Sequence, residues 1–491
     1  MNVKAVMKNL KKKGFRETLK IRRKNVELRR LLEEYRIVLN RYKDAAERED
    51  EKKLQEALCS LLEEYRYAFQ KRPFMGVSTS QYKEFMGTLF SVQQILDEQM
   101  HREYRELLKE IKATYIKERI PLEYREHAIG PVEQKVIFME NGNSPSPSAH
   151  HLSQVMKAQG EYSLKFMGLK IRSVSEIEYY ENALRFVREL ATAKAVFLST
   201  ANDILSHFDV RPETKVIQLW HGVGVFKKVG YSTVDNPHFG KGVKERQEYD
   251  QYRNYSYVTI PAEEQAWIFE DAFRIRRDAG IIVPIGVSRT DVFFDQGYID
   301  AAYKRLYEAL PQIRGRKIIL YAPTFRGSTD KGKAPDQLDI NAFGEALSDD
   351  YVLLIKHHGL AKNVPEIPEK WRDNFAFDMG KRKILGIERL LAIADICVTD
   401  YSSIAFEYAI LERPLIFFAY DLDEYLDRRG MYYDYEEITP GPVCRTNDEM
   451  IDYILHIAER FNKQEILDFK QKYVNMCDGH ATERTIELIE K

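Results

Sequence analysis

From about Pro131 onward the chain alternates short apolar runs with stretches of helical periodicity, in two successive series. The first series has apolar runs at residues 136–139, 195–200, 215–220, 257–261 and 281–286, with a helix-period stretch over 175–192. The second has runs at 317–325, 351–356, 396–399 and 415–420. Short near-continuous apolar runs separated by helices are the pattern of strands covered on both faces, hence of parallel sheets with helical crossovers. Two such series predict two doubly wound α/β domains joined near 295–303, with the helices 448–461 and 463–474 closing the second. Ligands are then expected beyond the carboxyl ends of the strands.

A chain of 491 residues is too long for one ordinary core, so more than one domain is expected. The reading divides it at 1–128, a helical region; 129–298, a first Rossmann-like domain; and 299–491, a second, nucleotide-binding one. In the helical region apolar residues recur at three and four, and Leu-Leu-Glu-Glu-Tyr-Arg occurs at 31–36 and 61–66, which we read as coincidence in a restricted alphabet. A break at 72–76 separates two groups of helices.

Charge is uneven along the chain. Residues 1–30 hold twelve Lys or Arg against Glu17 and Glu27, a balance of +10, and the total is −1, so the remainder carries −11. Basic charge confined to one segment points to an anionic surface and away from nucleic acid. With Val3, Val6, Met7, Leu10, Phe15, Leu19 and Ile21 among them, these cations either lie in the headgroup layer of an anionic bilayer, each adding about 1 kcal/mol, or form a solvated helix face. No signal-peptide pattern and no run of about 18 apolar residues is present, so neither export nor membrane spanning is expected. Cys59, Cys397, Cys444 and Cys477 lack metal-ligand spacing and read as reduced thiols.

Polar clusters follow several of the predicted strands. After Trp220 come His221 and Gly222, then Lys227 and Lys228, an accessible imidazole beside cations. Gly286 is followed by Ser288, Arg289, Thr290 and Asp291; Arg289 offers a fork suited to phosphate. Thr324 and Arg326 follow one strand, and Lys356, His357 and His358 follow another. Adjacent histidines diverge and no acidic partner stands at metal spacing, so no metal is expected. Finally Thr399, Asp400, Ser402 and Ser403 lie between a strand and a helix start, with Glu407 one turn on. Unpaired amides and hydroxyls there suit phosphate oxygens, while the plainer reading is helix capping.

The segment Thr399-Asp400-Tyr401-Ser402-Ser403, the Pro-led strand from Pro414 to Tyr420-Asp421 with Tyr425, Arg429-Gly430 with its aromatics, and Pro440-Gly441-Pro442 together resemble the CDP-glycerol glycerophosphotransferase family of teichoic acid synthesis. The Trp220-His221-Gly222, Ala322-Pro323-Thr324-Phe325-Arg326 and Lys356-His357-His358 motifs resemble the same family. Ser288 and Thr290 depart from it, standing where the family carries Pro and Asn. The resemblance implies a GT-B architecture with the active site in the cleft between the domains. It implies His221 as general base, with Arg289 and His358 on the phosphates. Gly222, Lys228, Thr324, Arg326, Lys356, Thr399, Asp400, Ser402, Ser403 and Glu407 are expected to contact substrate, with Glu407 facing a ribose. Asp421 and Asp423 are expected to be structural.

The implied reaction is transfer of glycerol phosphate or ribitol phosphate from a CDP-activated donor to a hydroxyl of a lipid-linked or polymeric acceptor. It would run without a metal cofactor, at the cytoplasmic side of the membrane, on a peripheral protein for which a homo-oligomer is compatible. Alternative readings are a GT-B glycosyltransferase using a nucleotide sugar and a non-catalytic membrane-associated scaffold.

Overall fold

The structure, a computed structural model, describes residues 98–170, 173–174, 176–236, 250–327 and 332–491. The basic first segment, the repeated hexapeptide and the break at 72–76 lie outside the described residues. A helix, Glu98–His127, leads into the first sheet. Its last turns belong to that domain's core: Ile120 and Tyr124 are buried there, and Tyr124 stacks on Phe208 at 4.5 Å.

The first sheet contains β1 (Glu133–Glu140), β2 (Ser163–Gly168), β3 (Ala193–Leu198), β4 (Lys215–Gln218), β5 (Tyr257–Ile260) and β6 (Ile282–Pro284), in the order β2-β1-β3-β4-β5-β6. The second contains β7 (Lys317–Tyr321), β8 (Tyr351–Ile355), β9 (Ala376–Asp378), β10 (Ile396–Thr399), β11 (Leu415–Phe418) and β12 (Val443–Cys444), in the order β12-β11-β10-β7-β8-β9. Every pairing in both sheets is parallel. Two parallel, doubly wound domains are therefore present, as the alternation predicted.

Alternate side chains supply two cores per sheet. Ile137, Met139, Val196 and Leu198 enter one, while Val136, Phe138, Ala195 and Phe197 enter the other. In the second sheet Ile318 and Leu320 face one side, Ile319 and Tyr321 the other. Full burial of each such large side chain stabilises by about 1.5–3 kcal/mol. Three strands escape the sequence reading, all of them edges: β2 is half-exposed, and β9 and β12 have three and two residues.

Two boundaries differ from the sequence reading. Val287, Val292 and Phe293 already pack in the second domain's core, so the crossing is made by the turn Ser288–Phe294, and the residues near 295–303 begin the helix Gln296–Ala309. The helices Asn447–Leu455 and Lys463–Tyr473 pack on the second domain. The chain then returns: Leu488 and Ile489 bury against Val136 and Phe138, and Asp291 accepts the amides of Ala481 and Thr482 at 3.2 and 2.7 Å. The second domain thus ends before the last helix, Ala481–Glu487, which belongs to the first. No helix among the described residues is long and apolar enough to cross a membrane.

Candidate active site

β4 ends in a turn that needs an unusual backbone. Trp220 has φ 61, a left-handed conformation that a bulky residue adopts at a cost of about 1–3 kcal/mol unless its surroundings enforce it. Here Gln218, fully buried, accepts the Trp220 N–H at 2.8 Å and donates to the Tyr255 hydroxyl at 2.8 Å. The indole packs edge-on against Phe269 at 5.7 Å. The turn throws His221 into the opening between the two domains, where it keeps exposed surface although protein surrounds it. That enclosure pushes its pKa down to about 4; the Arg289 charge lowers it too, and a hydrogen bond to the Ser199 backbone opposes the fall. The ring is therefore neutral at neutral pH, with one nitrogen open to accept a proton.

The loop after His221 lies directly on the second domain. A Cβ on Gly222 would stand 3.0 Å from the Ser403 hydroxyl, and one on Gly224 would stand 2.2 Å from Phe406 Cγ. Close approach is what these glycines permit. Lys227 bridges to Met431 in antiparallel fashion, the Lys228 amide donates to the Gly430 carbonyl at 3.1 Å, and the Tyr432 amide donates to the Phe226 carbonyl at 2.9 Å. The Arg-Gly-aromatic stretch is thus the strap on which the His221 loop is laid. Gly224→Ala is expected to cost about 1–3 kcal/mol by overpacking against Phe406, measured as a lower urea midpoint.

Arg289 sits at the domain crossing, 9% exposed. Its Nη1 donates to the His221 carbonyl at 3.0 Å, and its Nη2 pairs with Glu388 at 2.9 Å and Glu407 at 3.3 Å. Burial raises the Glu407 carboxyl above the ordinary range, with Arg289 opposing and Glu388 adding to the rise. Glu407, expected to face a ribose, is instead 2% exposed and turned onto Arg289. Arg289, expected on a phosphate, is held by protein groups through both terminal nitrogens.

Three further expected contacts also face inward. Thr399 is fully buried and donates to the Ala322 carbonyl at 2.8 Å. Asp400, 1% exposed, accepts the amides of Thr324 and Tyr401 at 2.8 and 2.6 Å and pairs with Arg326 at 2.8 Å. Arg326 also grips Asp421 through Nε at 2.6 Å and Nη2 at 3.0 Å, and lies over the rings of Tyr401, Tyr420 and Tyr425. With two carboxylates around it, its pKa rises above the usual arginine value despite burial. Arg326 and Asp400 therefore lock the strand ends of β7, β10 and β11 together, and Asp421 has the structural place expected for it. The reason is geometric: residues at a strand end alternate in direction, and only some of them face the opening.

The side chains that keep exposed surface at these strand ends, and so can face the opening, are His221, Ser402, Ser403, His358 and the nearby lysines. Ser403 begins the helix Ile404–Ala409 without its side chain capping it, while the Ser402 hydroxyl accepts the Ile404 amide at 3.4 Å. His358 is exposed, and its Nδ1 accepts the Leu360 amide at 3.1 Å, which assigns the proton to Nε2. Burial lowers its pKa and the Lys227 charge lowers it further, so His358 is a neutral N–H donor beside a cation. Lys227, rather than Lys228, is thus the lysine near His358; Lys228 is exposed and Lys356 half-buried. The Thr324 hydroxyl is buried without a hydrogen-bond partner among the described residues. Among them no group of three or more His, Cys, Asp or Glu stands close enough to hold a metal ion.

Sequence reasoning missed Glu388, which sits on the helix Ile387–Ile393 outside every motif. The two adjacent lysines were visible, but the choice between them depends on the bridge to Met431.

The sequence profile of the CDP-Glycerol:Poly(glycerophosphate) glycerophosphotransferase family matches residues 124–491. The teichoic acid poly(ribitol-phosphate) polymerase of Bacillus spizizenii is 33% identical over 338 residues, which are 68% of this chain and 52% of that protein. The chain therefore spans about half the length of that relative. The teichoic acid glycerol-phosphate primase of Bacillus subtilis is 31% identical over 349 residues, 68% of this chain and 86% of the primase. The structure of the wall teichoic acid polymerase TagF superposes with a TM-score of 0.63 at 23% identity, covering 79% of this chain and 97% of that one. At that identity the likeness is one of fold, two facing Rossmann-like domains of GT-B type.

Proposed function

From the premise that this chain belongs to the CDP-glycerol:poly(glycerophosphate) glycerophosphotransferase family, we propose that it transfers glycerol phosphate or ribitol phosphate from a CDP-activated donor to an acceptor hydroxyl. The observation that carries the reading is the pair of neutral histidines at strand ends of the two domains, His221 at the head of the loop that brings the Lys227 charge to His358. His221 is neutral with a free acceptor nitrogen, and His358 is a neutral donor beside Lys227. In the proposed step the acceptor O–H gives its proton to His221 as the oxygen bonds to the β-phosphorus. The bond from that phosphorus to the bridging oxygen breaks, and CMP leaves with the electron pair. Charge growing on the phosphoryl oxygens is met by His358 Nε2–H, Lys227 and the hydroxyls of Ser402 and Ser403. These donors are protein groups, so the step as written calls for no metal ion.

The acceptor in this reading is lipid-linked or polymeric, and the protein works as a peripheral one at the cytoplasmic face of the membrane. Its support is the twelve cations of residues 1–30, chemistry suited to anionic headgroups. Titration calorimetry with CDP-glycerol, CDP-ribitol and a UDP-sugar tests the donor. Binding of a CDP-polyol, weakened at least tenfold in His358→Ala and unchanged by EDTA, is the expected result. Binding of the UDP-sugar alone would overturn the reading in favour of a glycosyltransferase.

A further inference from the structure

Arg289 joins three parts of the protein: the turn that crosses between the domains, the His221 loop of the first, and two helices of the second. A single carboxylate would neutralise its guanidinium. A second one, Glu407, is 2% exposed and adds a desolvation cost, which is a poor way to gain stability alone. Moreover Arg289 Nε and Glu407 Oε2 are both buried without a hydrogen-bond partner. The guanidinium therefore forgoes a two-point pairing with Glu407 and keeps one arm on the His221 carbonyl. Two carboxylates from different helices set the plane of the fork, and the fork in turn sets the carbonyl.

We infer that Glu388 and Glu407 are positioning residues for His221, acting through Arg289 so that the second domain dictates where the first domain's base stands. The helix carrying Glu407 supports this in two more places, with Ser403 against Gly222 and Phe406 against Gly224. The base is thereby registered against the helix whose start faces the proposed donor phosphates. A displacement near 1 Å at a reacting group lowers rate by up to about 100-fold, which sets the scale of the effect. The inference deepens the transferase reading and rests on it for the role of His221.

The test uses the full chain and the variants Glu388→Gln, Glu388→Asp and Glu407→Gln, with steady-state turnover of the CDP-polyol and hydrogen exchange of the amides of residues 222–225. Glu388→Gln is expected to lower kcat about 10–100-fold with the donor KM within twofold and the melting temperature nearly unchanged. Exchange at 222–225 should rise, and Glu388→Asp should recover part of kcat. Unchanged kcat and exchange in both Gln variants overturns the inference. So does a joint loss of kcat, donor binding and melting temperature, which a merely structural ion pair would give. If the wild type turns over neither CDP-glycerol nor CDP-ribitol, the transferase reading fails by itself, and the exchange comparison alone then decides the Arg289 link.

Discussion

His221→Ala is expected to lower kcat by about 10²–10⁴-fold, the usual contribution of a general base, while donor affinity stays within a few-fold. The split follows from placement. The imidazole stands on the first domain, and the proposed phosphate contacts, Ser402, Ser403 and His358, stand on the second. The pH profile gives an independent check. His221 must be neutral to take a proton, so activity falls as pH drops through its pKa. In the free protein enclosure and the Arg289 charge hold that pKa down at about 4, well below the ordinary imidazole value. The acid limb of kcat/KM should therefore lie far below pH 6.5. A bound diphosphate favours the imidazolium, so the limb of kcat should lie higher than that of kcat/KM. A variant with full turnover, or an acid limb that stays in place when His221 is replaced, removes His221 from the mechanism.

Arg326→Ala is the substitution with the largest expected effect on stability, about 3–5 kcal/mol. It removes the cation shared by Asp400 and Asp421, whose side chains are 2% and 18% exposed, and leaves two carboxylates together with no compensating charge. Asp400 in turn holds the Thr324 and Tyr401 amides, so the ends of β7 and β10 loosen with it. Urea unfolding should show a lower midpoint, and Arg326→Met combined with Asp400→Asn should lose less than Arg326→Ala alone. A loss under about 1 kcal/mol would show that the cluster is solvated like a surface pair.

How much of this was open to reading from the chain depended on whether the cause is local. Parallel sheets were legible because strands covered on both faces must be apolar almost throughout, as 351–355 and 415–418 are. The strand-end clusters were legible for the same reason, since the end of such a run marks where a sheet opens to ligands. Of the edges, β6 was legible from its apolar run, whereas β2 is half-exposed and β9 and β12 are brief, pairing there resting on backbone register more than on hydrophobicity. Nor was the return of Leu488 and Ile489 to the first domain, where an ordinary apolar pair could have served either core.

At the site, sequence by itself determined which residue types gather at the strand ends: imidazoles, hydroxyls, two arginines, lysines and several carboxylates. Only the tertiary structure decided which of them face the opening and which hold the frame. Arg289, Glu407, Thr399, Asp400 and Arg326 turned inward, and Glu388, outside every motif, joined them. The physical reason is that a charged side chain at a domain junction loses its water whichever way it turns, so it settles where a partner of opposite charge already stands. That partner comes from a distant part of the chain, and no spacing within a motif can announce it.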